Sequence, residues 1–179
     1  MIRLALLLVA LPLAALAQPQ LEKPNGLLLV AKPGLIDPNF RETVVLVSQT
    51  EDGSTVGVIL NRPTARRLET TGEPISFGGP VMREVVVTLF RAERAPEAAS
   101  FHVLQGVYLS MHPQNVEKFA QDRRLFAGFA GWAPGQLEDE LRRDGWYMLP
   151  ANAELAFRKS TSGMWEELVR KARGRVAMR

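Results

Sequence analysis

The sequence predicts a single α+β domain, built as a mixed, largely antiparallel sheet with helices on its outside. Three observations carry that prediction. Short, β-rich apolar runs follow one another through turn chemistry that suits hairpins. Helical patterns also occur, but they never alternate with strands in a clean βαβαβ order, and no internal repeat is visible. Finally, 179 residues that are 46% apolar and 23% charged amount to one core, and no linker divides them.

The chain opens with MIRLALLLVALPLAALA, where Arg3 forms a short n-region, an apolar run extends to Leu16, and Ala15-Leu16-Ala17 supplies a small-x-small cleavage site. This reads as a signal peptide cut after Ala17, because the run is shorter than the roughly 20 residues of a spanning helix and Pro12 interrupts it. No Cys follows to indicate a lipid anchor, and no later stretch is apolar for long enough to span a bilayer, so the expected address is periplasmic. The expected organisation is a flexible mature N-terminus over residues 18–25, a domain over 26–172 and a basic tail over 173–179.

Residues 27–31, 43–48 and 56–60 read as strands, and the last two are joined by Glu51-Asp52-Gly53-Ser54 as an antiparallel hairpin with a four- or five-residue loop. Between the first and second, Asp37-Pro38-Asn39-Phe40 combines an acidic cap with Pro at a first helical position, predicting a short turn that carries Phe40 inward. A polar connection over 64–73 leads to a constrained turn at 76–80. Residues 85–90 then read as a strand, 91–100 as an exposed link, and 102–104 with 107–109 as a hairpin reversing at Gln105-Gly106. Further on, 113–122 reads as a helix begun by Pro113 and 125–129 as a strand, followed by a bend at Gly131-Trp132. Pro134 is placed at the first helical position before a helix over 136–143 that buries Leu137 and Leu141, and Gly145 stops it. Residues 146–149 and 162–173 complete the chain as a strand and a helix.

Chemistry-bearing motifs are sparse. The chain has no Cys, which removes thiol nucleophiles and Cys-based metal sites. Its two histidines, His102 and His112, show no metal-ligand spacing, so no metal or other cofactor is expected. Ser48, Ser76 and Ser110 lack a GxSxG elbow, and Phe77-Gly78-Gly79-Pro80 lacks both phosphate-loop spacings and reads as a tight turn. Asn61-Arg62-Pro63 is more suggestive, because Asn tolerates left-handed dihedrals and Arg carries a planar five-donor fork at what should be a sheet edge. Its alternatives are an ion pair with Asp37 or Glu140 and a bound carboxylate or phosphate. The net charge of +3 owes much to Arg170, Lys171, Arg173, Arg175 and Arg179, which read either as a solvated helix end or as a weak contact with an anionic membrane surface. No nucleic acid is expected, since no helix-turn-helix, zinc-finger or RNP signature is present.

Taken in order, PGLIDPNFRETVVLVSQ, EDGSTVGVILNRPT, FGGPV, FAGFAGWAPGQLEDELRRDGWYMLP and MWEELV resemble the YqgE/AlgH family over residues 26–172. The resemblance implies a bifurcated, partly closed sheet forming a pseudo-barrel with flanking helices, and a family with no established enzymatic activity. It carries Pro33, Asp37, Pro38 and Phe40 onto a DP-F element, Asn61, Arg62 and Pro63 onto an N-R-P element, and Gly78, Gly79 and Pro80 onto a GGP turn. Gly131, Trp132, Gly135, Gln136, Leu137, Glu138 and Leu141 match a GW-GQLE-EL element. Two departures are the export signal and Gly53-Ser54-Thr55-Val56-Gly57, which lengthens a hairpin. The function expected is a non-catalytic periplasmic module that binds an unknown protein or a small anionic ligand through Asp37, Asn61, Arg62, Gly78, Gly79, Trp132 and Gln136. The alternative is a hydrolase with Asp37 or Glu140 as general base and Arg62 as anion clamp.

Overall fold

The computed structural model describes residues 24–177; the expected signal peptide, its cleavage site and Arg179 lie outside the described residues. Nine strands, β1 (Leu27–Ala31), β2 (Val44–Gln49), β3 (Thr55–Ile59), β4 (Ile75–Phe77), β5 (Val81–Arg91), β6 (Phe101–Leu104), β7 (Val107–Ser110), β8 (Arg123–Trp132) and β9 (Trp146–Pro150), form one sheet. Along it the order is β6-β7-β5-β8-β3-β2-β1-β9, and β4 pairs with β8 off this path. All pairings are antiparallel except β4 with β8. Four helices, α1 (Pro113–Lys118), α2 (Gln136–Arg142), α3 (Ala153–Ala156) and α4 (Met164–Ala177), flank it. The domain is therefore α+β, and its sheet stays open rather than closing.

The bifurcation sits on β8. One edge of this strand pairs with β5, while the other is shared, with Leu125 to Ala127 taking β4 and Ala130 to Trp132 taking β3. Gly78 occupies the fork: its N–H donates to the Ala127 carbonyl at 2.9 Å, and its carbonyl accepts from the Ile59 N–H at 2.9 Å. A Cβ on Gly78 would meet the Gly128 carbonyl, and one on Gly79 would run into the Phe129 backbone. The GGP turn is thus where three backbones approach too closely for side chains.

Both faces of the central strands are covered, which is why the sequence shows continuous apolar runs rather than clean alternation. Leu28, Val30, Val44, Leu46 and Phe126 face one side with Met164, Leu168 and Val169 of α4. Leu29, Ala31, Val45, Val47 and Ile59 face the other, with Trp132, Trp146 and the half-buried Leu137 and Leu141 of α2. Burying a side chain such as Leu168 contributes about 1.5–3 kcal/mol, so α4 is a principal cover of the first face.

Several boundaries move for physical reasons. The first helix ends at Lys118 rather than at 122 because Phe119 leaves the helical region (φ −107°, ψ 54°) and stacks on Phe90 at 4.2 Å. Ile75–Phe77 is a parallel strand where a turn was expected. The bend expected at Gly131-Trp132 lies later, since those residues still pair with Val56 and Thr55, and α2 is entered through Gly135 at φ 81°, so Pro134 is not its first helical residue. Asp144, at φ 62°, takes the left-handed position after α2 that Gly145 was expected to provide. Helix α3, capped by Asn152 Oδ1 on the Leu155 N–H at 2.8 Å, was missed because four residues carry no periodicity. The last helix continues to Ala177, so Arg173 and Arg175 belong to it rather than to a separate tail.

Candidate functional site

The turn before β2 sets one wall of the site. Asp37 Oδ1 accepts the Asn39 N–H at 2.7 Å, and the Asp37 carbonyl accepts from Phe40 and Arg41, which turns Phe40 inward as its sequence predicts. There its ring lies 5.7 Å from Trp132, at the end of β8, and 5.7 Å from Trp146, at the start of β9. The two indoles meet edge-on at 6.2 Å. Both are almost fully buried, so each N–H needs a partner inside the protein.

Glu140 supplies it. One carboxylate oxygen, Oε2, accepts from Trp146 Nε1 at 2.9 Å and from Trp132 Nε1 at 3.1 Å, and Oε1 accepts from Gln136 Nε2 at 3.3 Å. Gln136 and Glu140 lie one helical turn apart on α2, so they face the same way. The Gln136 side-chain oxygen also accepts the Ala133 N–H at 3.1 Å, which ties down the loop entering the helix. A charged oxygen shared by two indoles fixes both rings at once.

In front of this cluster lies a cavity of about 440 Å³ whose polar lining includes Asp37, Asn39, Gln136, Glu140 and Arg143, with Leu35, Phe40, Pro80, Trp132 and Trp146 as its apolar part. Of the residues singled out in the sequence, Asp37, Trp132 and Gln136 therefore converge. Asn61 and Arg62 do not line the cavity; they brace the turn. Arg62 donates to the Arg41 carbonyl at 2.8 Å and to the Pro38 carbonyl at 3.4 Å, with no ion pair to Asp37 or Glu140 among the described residues. Asn61 accepts the Val44 N–H at 2.8 Å and donates to the carbonyl of Glu42, a non-glycine residue at φ 56°, at 2.9 Å. Gly78 and Gly79 stay in the fork, and only the next residue, Pro80, reaches the cavity.

Trp146 and Arg143 were not picked out as site residues. The spacing Gln136, Glu140, Arg143 is a helical face of i, i+4, i+7, and that periodicity is a signal for Arg143; Trp146 opens β9 and lies outside it, so only the folded contact with Glu140 marks it. His112 caps α1 and His102 stacks on Tyr108 at 4.7 Å. Among the described residues no three His, Asp or Glu side chains gather as metal ligands.

The AlgH-like (DUF179) family profile matches residues 28–177, nearly all of the described chain. The chain belongs to the AlgH-like family. A UPF0301 protein of Streptomyces coelicolor is 37% identical to this AlgH-like chain over 172 residues, covering 86% of it and 89% of the relative. One from Thermobifida fusca is 35% identical with the same coverage. Among solved structures, a crystal structure of a Corynebacterium diphtheriae protein superposes with a TM-score of 0.67 at 23% identity, covering 83% of this chain and 86% of that one. The solution structure of the AlgH protein from Pseudomonas aeruginosa gives 0.63 at 24%, covering 74% and 80%. At those identities the likeness concerns the fold.

Proposed function

We propose that this AlgH-like protein is a non-catalytic periplasmic binding module whose cavity beside Phe40, Trp132 and Trp146 takes up a segment of a partner protein. The carrying observation is the apolar rim around a mixed polar cavity. Ile36 is 91% exposed between Leu35 and Asp37, both of which line the cavity, and exposed Val81 and Met82 follow Pro80. The Arg83 side chain donates to Asn39 Oδ1 at 3.4 Å, which brings these two rim segments together. Solvent-facing aliphatic side chains around a groove suit a protein surface more than a small polar solute. The charges available there, Asp37, Glu140 and Arg143, carry one net negative charge, which favours a partner segment with a basic residue over an anion. The hydrolase reading receives less support: Glu140 already accepts three hydrogen bonds and Asp37 caps its own turn, so neither is poised to abstract a proton. The periplasmic address rests on residues 1–17.

The test compares capture from periplasmic extract by wild type and by Arg143→Glu, an exposed rim change that leaves the aromatic cluster intact. A specific partner held by wild type and lost by the variant, with unchanged melting temperature, is the expected result. Equal capture by both overturns this placement of the binding surface, and an exported protein whose intact mass retains residues 1–17 overturns the cleaved signal.

A further inference from the structure

A second cavity, of about 390 Å³, opens at the other end of β8 and shares no lining residue with the first. Four cations line it, Arg123, Arg124, Arg158 and Lys159, against the two carboxylates of Glu73 and Asp122. Most of these charges are matched. Glu73 takes Arg123 through two hydrogen bonds, Asp122 pairs with Arg91 at 2.7 Å, and Arg158 pairs with Glu167 at 2.6 Å. Arg124 and Lys159 have no carboxylate partner among the described residues. Two positive charges are left over.

Arg124 is the unusual one. Its guanidinium donates to the Ala156 carbonyl at 2.8 Å and the Leu60 carbonyl at 2.7 Å, and it lies over the Phe126 ring at 5.1 Å. Burial pushes it down to about 10, so it keeps its charge at neutral pH with only neutral acceptors around it. Beside it, the Arg123 side chain is 2% exposed, and its Nη1 is buried without a hydrogen-bond partner among the described residues. A buried guanidinium nitrogen without an acceptor costs free energy that a bound oxygen would recover. The wall also has an apolar part, formed by Pro63, Pro74, Leu125 and Phe157.

We propose that this cavity binds a phosphate monoester carried on a small apolar body. Arg124 and Lys159 supply the two opposing charges, Arg123 Nη1 donates to a phosphoryl oxygen, and Phe157 with the prolines receives the apolar part. Two charges match a phosphate dianion, and planar guanidinium donors fit its oxygens better than a point charge does.

The test is calorimetric titration of the protein at low salt with phenyl phosphate, inorganic phosphate and phenol. Phenyl phosphate is expected to bind saturably, tighter than inorganic phosphate, while phenol does not bind. Lys159→Glu is expected to weaken phenyl phosphate by about tenfold or more, the scale of one charge-assisted contact. Arg94→Glu, an equal charge reversal at an exposed residue between β5 and β6, leaves binding unchanged. Arg124→Met removes binding; if that variant does not fold, Lys159→Glu alone decides. Absence of saturable binding, or equal binding by wild type and Lys159→Glu, overturns the site. Inorganic phosphate binding as tightly as phenyl phosphate overturns the assignment to a monoester.

Discussion

Replacing Glu140 tests whether one carboxylate holds the aromatic cluster together. In Glu140→Leu the N–H groups of Trp132 and Trp146, on side chains only 3% and 4% exposed, both lose their acceptor. Each buried donor left unsatisfied costs about 1–3 kcal/mol, so the pair costs about 2–6, and the apolar replacement offsets part of that, leaving about 3 kcal/mol. For a domain of this size such a loss lowers the melting temperature by about 6–12 °C. Glu140→Gln keeps a carbonyl oxygen for the indoles but without charge, and the difference between charged and neutral hydrogen bonds puts its cost at about 1 kcal/mol. Urea unfolding followed by tryptophan fluorescence and far-UV circular dichroism measures both variants. The expected order of stability is wild type, then Gln, then Leu, with the dependence on urea unchanged. A Leu variant within about 0.5 kcal/mol of wild type, the usual range for a surface change, refutes the reasoning.

Gly79→Ala is expected to cost about 3 kcal/mol or more, because φ is 156° and the new Cβ meets the Phe129 backbone; soluble yield and melting temperature check it, and an unchanged melt would mean that the fork can open. For the Glu73–Arg123 pair, hydrogen bonds from Arg123 hold the Glu73 carboxyl below its ordinary value of 4.5. A depressed carboxyl contributes stability that is complete above 4.5 and lost as the pH falls through its folded value. Glu73→Gln is therefore expected to be about 2–3 kcal/mol less stable at neutral pH, since Arg123 is left buried without its partner. That gap should close as denaturation is repeated at progressively lower pH; a gap constant with pH would count against the pair.

The hairpins were legible because their signals are local. Glu51-Asp52-Gly53-Ser54 and Gln105-Gly106 carry turn chemistry within a few residues, and the apolar runs on either side set the register. The inward path of Phe40 was legible for the same reason, since Asp37 and Pro38 dictate the turn. What sequence could not show is pairing at a distance. Whether Gly131 and Trp132 bend or extend depends on Val56 and Thr55 lying opposite, far earlier in the chain. The role of Arg62 was similarly hidden, because a five-donor fork suits a carboxylate, a phosphate or two backbone carbonyls equally well until the turn at 38–41 is folded against it. Arg123 and Arg124 carry no sequence signal of their own, because two adjacent arginines between a helical pattern and a strand match a solvated edge as well as a cavity wall.

The fork in the sheet explains why a charge came to lie beside Leu60 at all. The pairing of β3 with β8 stops at Gly57 and Ala130, because the rest of that edge of β8 belongs to β4. Leu60 still donates its N–H to Val44 across β2, but its carbonyl points into the gap where β3 and β8 diverge. A buried carbonyl there requires a donor. Arg124 reaches it from the start of β8 and gives a second N–H to the Ala156 carbonyl at the end of α3, which closes the gap from the helix side. Two of its five N–H groups therefore do structural work. The donor that serves both carbonyls here is a guanidinium, so closing the fork brings a full positive charge with it. Part of the excess charge in the second cavity thus has an architectural origin, and any ligand chemistry there exploits a cation that already closes the branch of the sheet.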